Sequence, residues 1–136
     1  MNQDENTSNI VIIEYYDIKE EELYKNNDTM PTSAYAIIKI QGQFLIGYNK
    51  YREQWEFPAG KIESGESAIG AARRELYEET GAIDFKIKPI CVYSVIGKNR
   101  VNDTGEELYG MLYYADIYSF EENLHSEMEK IVLFNE

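Results

Sequence analysis

Three glutamates, Glu75, Glu78 and Glu79, follow two arginines in the run Arg73-Arg74-Glu75-Leu76-Tyr77-Glu78-Glu79-Thr80-Gly81. On an α-helix, at about 100° per residue, the three carboxylates fall within roughly a 100° arc of one face. Like charges three and four residues apart destabilise a helix by about 0.2–0.5 kcal/mol per pair. Placed in a last turn, each also opposes the macrodipole by about 0.3–1 kcal/mol. Arg73 and Arg74 offset part of this, although the Arg74–Glu78 pair has the weaker orientation, with its cation on the N-terminal side. The arrangement works against the helix unless a cation sits there. Hard divalent cations take carboxylate and carbonyl oxygens, and Mg²⁺ typically combines a few carboxylates with substrate phosphate oxygens. Converging glutamates can also supply a general base for a water nucleophile. A solvated charged face is the plain alternative, and helix composition taken alone favours it.

The elements that must position these side chains follow from periodicity. Ala68, Ala72 and Leu76 recur at i, i+4 and i+8, with Ile69 and Ala71 beside them, which predicts a helix over 67–80. Ser67 is its expected N-cap and Gly81 its C′ stop, where left-handed geometry favours glycine. Runs rich in β-branched and aromatic residues predict strands over 10–16, 34–40 and 43–48, the last two joined by a Gln41-Gly42 turn. Further strands are expected over 85–96, 108–118 and 130–134. Residues 49–66 and 99–107 read as loops, Asp17 to Thr32 as a polar stretch with a turn at 26–28, and residues 1–9 as a loose tail. One helix among several strands predicts an α+β domain rather than a bundle or a sandwich of sheets, with residues 1–136 forming a single domain.

The chain has 136 residues, enough for one well-cored domain and too few for two. Its single cysteine, Cys91, can form neither an internal disulfide nor a thiolate zinc site; in an apolar strand it is expected to be a buried small hydrophobe. The net charge is −12, which would repel the backbone of long nucleic acid and argues against a non-specific DNA or RNA binder. A phosphate-bearing substrate would need its charge neutralised, and bound metal is the simplest means. No apolar run reaches membrane-span length, and the polar, acidic start is no secretory signal, so a soluble cytoplasmic protein is expected.

From Gly60 the sequence reads Gly60-Lys-Ile-Glu-Ser-Gly-Glu66, then seven residues, then Arg74-Glu75-Leu76-Tyr77-Glu78-Glu79-Thr80-Gly81. This resembles the Nudix box, G-x5-E-x7-R-E-U-x-E-E-x-G-U, with U a bulky aliphatic residue. Eight specified positions match; the last U position holds the smaller Ala82, followed by Ile83. The preceding Trp55-Glu-Phe-Pro-Ala-Gly60 also looks like the family. The resemblance implies an α/β/α sandwich around a mixed β-sheet, with the box as a loop–helix–loop. It implies a metal-dependent (Mg²⁺ or Mn²⁺) pyrophosphohydrolase that cleaves a nucleoside diphosphate linked to another group.

Carried over by position, the resemblance makes Glu75, Glu78 and Glu79 metal ligands, with the Ala59 carbonyl as another. Glu66 would stand behind them or bind an additional metal, and Arg74 would hold a catalytic glutamate in place. The base stays open between the Glu75 position and a downstream-loop glutamate, for which Glu127 is a candidate. Gly60 lets backbone approach metal or phosphate. Arg52 and Lys61 are candidate phosphate contacts, with solvated surface charge as the equal alternative. Trp55 or Tyr93 could stack on a base. Phe57 is expected in the core and His125 in an exposed loop.

The short chain looks like MutT-type members acting on nucleoside triphosphates, such as 8-oxo-dGTP, or on RNA 5′ ends. ADP-ribose or dinucleoside polyphosphate hydrolysis is the runner-up. A nucleotide-sensing module without turnover is the reading from another class, disfavoured because all the box glutamates are present. Members usually carry a further helix after the last strand. The sequence stops at Glu136, directly after Ile131–Phe134, so it reads as either a truncated or a naturally short member; if truncated, the sheet is expected to expose a face that a partner chain covers, and a homodimer is a candidate.

Overall fold

A computed structural model describes residues 11–40, 42–49, 53–57, 59–99, 101–121 and 128–134. Among the described residues, eight strands form one mixed sheet: β1 (Ile12–Tyr16), β2 (Pro31–Ile40), β3 (Gln43–Asn49), β4 (Gln54–Glu56), β5 (Ala59–Lys61), β6 (Ala82–Ile96), β7 (Leu108–Phe120) and β8 (Met128–Phe134). The order is β1-β6-β7-β2-β3-β4, with β5 also on β2 and β8 also on β3. Every pairing is antiparallel except β2 with β7. The α+β class and the mixed sheet are those expected.

The single α-helix among the described residues, α1 (Ala68–Thr80), lies where the periodicity placed it. The Ser67 side chain accepts a hydrogen bond from the Gly70 amide at 3.0 Å. Gly81 adopts φ 79° and closes the helix onto the Tyr77 carbonyl at 2.8 Å. The apolar stripe is buried: Ala68, Ala71, Ala72 and Leu76 are at most 2% exposed. Small residues along it bring the helix close to the sheet. It packs on the face where Ala34, Ala36 and Ile38 of β2 alternate inward, beside Met111, Tyr113 and Ala115 of β7.

Four readings of the sequence needed correction. Residues 49–66 are not all loop, since β4 and β5 lie within them. Strands this short have no alternation of their own to read, and they exist through their partners: Ala59, Gly60 and Lys61 pair with Tyr35, Ala34 and Ser33. The polar stretch 17–32 folds into two 3-10 turns, Glu20–Lys25 and Asn27–Thr29, and β2 begins at Pro31. The first turn is anchored by one apolar residue, Leu23, which is 2% exposed and joins the core under α1. Cys91 is half-buried rather than buried, and Phe57 is also half-buried. His125 lies outside the described residues.

Glu20 ties that first turn to the sheet by accepting hydrogen bonds from Tyr113 at 2.9 Å and Tyr24 at 3.0 Å. Burial first, and then the Glu20 carboxylate, push the Tyr113 phenol well above its ordinary range. The Tyr24 phenol is raised by the same two causes, to about 12. A phenol whose pKa is raised by folding stabilises the native state below its unfolded pKa, and that contribution fades as the pH rises beyond it. Stability is therefore expected to fall above about pH 10, the ordinary tyrosine range. The decline should be shallower in Tyr113→Phe, measured by urea unfolding at pH 9 and 11. An equal decline in both proteins would rule out Tyr113 as a source of the alkaline sensitivity.

Candidate active site

Arg74 is the hub of the box. It projects from α1 with its side chain 22% exposed, and its guanidinium meets groups from three segments. Nε and Nη2 donate to the two carboxylate oxygens of Glu66 at 2.8 and 3.0 Å, a forked pair. Nη1 donates to Glu75 at 2.5 Å and to Glu78 at 3.2 Å, and Nη2 also donates to the Lys61 carbonyl at 2.9 Å. The Glu63 carboxylate stands 3.7 Å from Nη1. Four acids therefore surround one cation, and this relieves the repulsion that the helix sequence creates.

The electrostatics follow the geometry. The Arg74 bond holds the Glu66 carboxyl below its usual range; partial burial opposes this, and the Glu63 amide, donating at 3.0 Å, reinforces it. Arg74 in turn holds its proton more firmly than a free guanidinium, first through Glu66 and then through Glu75, against the cost of burial. Glu66 is shifted down and Arg74 up, so both shifts favour the charged form, as an ion pair requires.

The other box residues are placed differently. Glu79 faces inward, 2% exposed, and accepts the Ala59 amide at 3.0 Å. It thereby fixes the backbone of β5 against the helix C-terminal turn. Gly60 lies on the helix side of β5, and a Cβ there would overlap the Glu75 carboxylate. Lys61 lies on the other side of β5, and its ammonium pairs with Asp103 in the loop between β6 and β7.

Lys61, Ser33, Gly110, Tyr93 and Tyr15 are successive partners across five strands, so they share the face opposite α1. Gly110 has no side chain, and the Tyr93 phenol crosses over it to hydrogen-bond Ser33. An apolar pocket of about 200 Å³ opens on this face, lined in part by Tyr15, Tyr35, Phe57, Tyr93 and Leu112. Trp55 pairs with Tyr48 in β4, while Arg52 and Glu127 lie outside the described residues.

The structure thus brings Arg74, Glu66, Glu75 and Glu78 together around Gly60 and Lys61, and it turns Glu79 onto Ala59. Among the described residues, no three acidic, histidine or cysteine side chains are already grouped to hold an ion. The donor chemistry nonetheless fits a hard divalent cation, because the converging groups are carboxylate oxygens and the missing Cβ at Gly60 keeps Glu75 against the β5 backbone.

Three participants were not singled out from the sequence. Asp103 was read only as part of a polar loop, although Asn102-Asp103-Thr104-Gly105 is a turn signature. Asn102 is fully buried in that loop. It donates to the Val95 and Glu106 carbonyls at 2.9 and 2.7 Å and accepts from the Gly105 amide at 2.9 Å. Glu63, at an unspecified box position, gave no signal of its own.

The fork on Glu66 and the reach to the Lys61 carbonyl need a planar guanidinium, which an ammonium cannot imitate. Arg74→Lys is expected to lose about 1–3 kcal/mol of stability in urea unfolding despite the conserved charge. A midpoint equal to that of the wild type would show that charge alone holds the four acids.

Comparison with known proteins places the chain in a family. The chain is 36% identical over 107 residues to the Bacillus subtilis (strain 168) protein YtkD, which carries a provisional name as an 8-oxo-dGTP diphosphatase. That match covers 78% of this chain and 63% of the relative. A Bartonella bacilliformis RNA pyrophosphohydrolase is 56% identical over 55 residues, covering 34% of this chain and 32% of the relative. The match therefore spans less than two thirds of the length of either relative. Among solved structures, a mutant of the Bacillus subtilis pyrophosphohydrolase BsRppH superposes with a TM-score of 0.71 at 28% identity, covering 91% of this chain and 72% of that one. The family description NUDIX domain matches residues 30–131, which include every box residue, and the chain belongs to the Nudix hydrolase family.

Proposed function

We propose that this chain is a metal-dependent pyrophosphohydrolase. Its favoured substrate is a nucleoside triphosphate, oxidised purine triphosphates such as 8-oxo-dGTP included, cleaved to the monophosphate and pyrophosphate. The observation that carries this reading is the cluster of box carboxylates around Arg74, closed on one side by Gly60 where a side chain would collide with Glu75. Glu75, Glu78 and Glu79, the Ala59 carbonyl and Glu66 are the groups that would hold Mg²⁺ or Mn²⁺. Such an ion, when bound, acidifies a water molecule and neutralises charge on the phosphates, which a protein of net charge −12 needs.

The residues of the chain have separate tasks. Arg74 aims Glu66, Glu75 and Glu78 and holds the Glu66 carboxyl below its usual range. Glu79 holds the β5 backbone so that the Ala59 carbonyl keeps its direction. Lys61, on the opposite face, lies in register with the rim of the aromatic pocket, where it can meet a phosphate. The pocket itself is sized for an aromatic ring and walled by Tyr35, Phe57 and Tyr93, so it suits a nucleobase. In the reaction, water adds to one phosphorus, the anhydride bond breaks, and the departing phosphate takes the bonding electrons; a glutamate receives the proton of the water. Arg52 and Trp55 remain candidates for substrate contact, and Glu127 for the base.

A second reading is removal of pyrophosphate from the 5′ end of RNA. It is favoured by the likeness to the Bartonella bacilliformis RNA pyrophosphohydrolase, 56% identical over 55 residues.

A hydrolysis panel with Mg²⁺ and Mn²⁺ tests both readings. It comprises 8-oxo-dGTP, the ordinary (d)NTPs, ADP-ribose, a dinucleoside polyphosphate and a 5′-triphosphorylated RNA, with Glu78→Gln as control. Pyrophosphate release from one substrate, reduced at least about 100-fold in Glu78→Gln, is expected. No turnover on any substrate despite metal binding would favour a nucleotide-sensing module. Gly60→Ala separates chemistry from folding, because the three atoms nearest its Cβ all belong to the flexible end of the Glu75 side chain. We expect its melting temperature to change little while its activity falls at least about tenfold. Full activity would show that Glu75 need not stand against β5.

A further inference from the structure

A concavity of about 430 Å³ wraps the open edge of β6 beside α1, with Arg73 and Phe85 on the helix side and Lys86, Lys88, Tyr114 and Asp116 on the opposite side. The chain carries 13 Lys and Arg against 25 Asp and Glu, so most cations should find an acid nearby. Arg74, Lys61 and Lys25 do. Among the described residues, Arg73, Lys86 and Lys88 make no ion pair, nor do Lys19, Lys39 and Lys98, so it is their grouping in one concavity that sets these three apart. Two of them lie on aromatic faces instead: Arg73 over Phe85 and Lys88 over Tyr114, each 5.6 Å from the ring centroid. The one acid on the wall, Asp116, accepts the Tyr114 hydroxyl at 3.1 Å.

Lysines on an edge strand are a common guard against sheet-to-sheet association, and β1 covers β6 only from Val92 to Ile96. Edge protection accounts for Lys86 and Lys88. It does not account for Arg73, which reaches the same concavity from the helix, or for Tyr114, which comes from the inner strand β7. Three cations on two elements beside two half-buried aromatic rings, Phe85 and Tyr114, form the combination that holds single-stranded nucleic acid: phosphates meet the charges and a base meets a ring.

We propose that this concavity binds the body of an RNA strand whose 5′ end is processed at the box. The inference rests on the RNA 5′-end reading above and deepens it. Arg73 is two residues from Glu75, about 3 Å along the helix axis, so the two sites lie on opposite flanks of the same helix. A strand engaging both would wrap the acidic C-terminal turn, held off its carboxylates by cations on either side. The acidity of the remaining surface would reject nucleic acid that does not reach this concavity.

The test uses Arg73→Gln/Lys86→Ala/Lys88→Ala beside Lys25→Ala, which removes a cation elsewhere and controls for net charge. Binding of a fluorescent 5′-monophosphorylated 12-nucleotide RNA is followed by anisotropy from low to moderate salt. Turnover is followed on the 5′-triphosphorylated form and on GTP. The triple variant should bind RNA about tenfold more weakly. Its log–log salt slope should be lower by about 0.7 for each phosphate that is no longer neutralised, about 2 in all. Turnover of GTP should be unchanged. Equal RNA binding and salt slope in the triple variant and Lys25→Ala would overturn the proposal, as would an equal loss on GTP. If only GTP, and not the bound RNA, binds through these residues, the ligand is a free nucleotide phosphate and the proposal fails. If the wild type turns over nothing yet binds RNA through these residues, the hydrolase reading fails and this site stands.

Discussion

The structure depends on one guanidinium holding several carboxylates. Arg74 binds Glu66, Glu75 and Glu78 and stands within ion-pair reach of Glu63. Without it, α1 would end in a crowd of like charges at the negative end of its own dipole. The same residue also reaches the Lys61 carbonyl, which joins the helix to β5. Charge balance and the positioning of the site are therefore one interaction, and a change that loosens the helix end disturbs the site too. Glu79 supplies the complement by accepting a β5 amide with its buried carboxylate. The short strand is thus held from the helix at both ends, by an acceptor at Ala59 and a donor at Lys61.

The two faces of the sheet serve different needs. Under α1 the contacts are small and close, with Ala34, Ala36, Ala68, Ala71 and Ala72 allowing the helix to sit near the strands. The opposite face carries the larger aromatic side chains, with Tyr35 edge-on to Tyr93 at 5.2 Å between centroids. Gly110 lets the Tyr93 phenol cross a strand to reach Ser33, so a buried hydroxyl pair is satisfied within the wall of the apolar pocket. The face against α1 secures close packing of the helix, and the face away from it provides a stiff aromatic surface.

Much of this was legible in the sequence. The helix, both its caps and its buried stripe follow from 3.6-residue spacing and from Ser67 and Gly81. The Nudix family could be recognised because its box fixes residue types over a single stretch of chain. Features made by partners distant in sequence could not be read. Strand β5 exists through Ser33–Tyr35, the 3-10 turn at 20–25 is held by Leu23 and Glu20, and Lys61 meets Asp103 across two elements. Periodicity describes a segment against itself, and these contacts have no period. The inward turn of Glu79 was missed for a related reason, since spacing gave its place on the helix but not the amide waiting opposite.

The parallel pairing of β2 with β7 has a consequence for how the chain is made. Ala34 meets Met111 and Ile38 meets Ala115, so an early strand waits for one near the other end of the chain. During synthesis from the N-terminus, α1 and its acidic turn emerge before β7, the strand on the far side of the floor beneath them. Until then, the alanine stripe and the half-formed sheet edge of β2 are open to other molecules. Nascent chains should be most vulnerable to association and to proteases while the ribosome completes residues 81–120, and least so once β7 has closed the sheet.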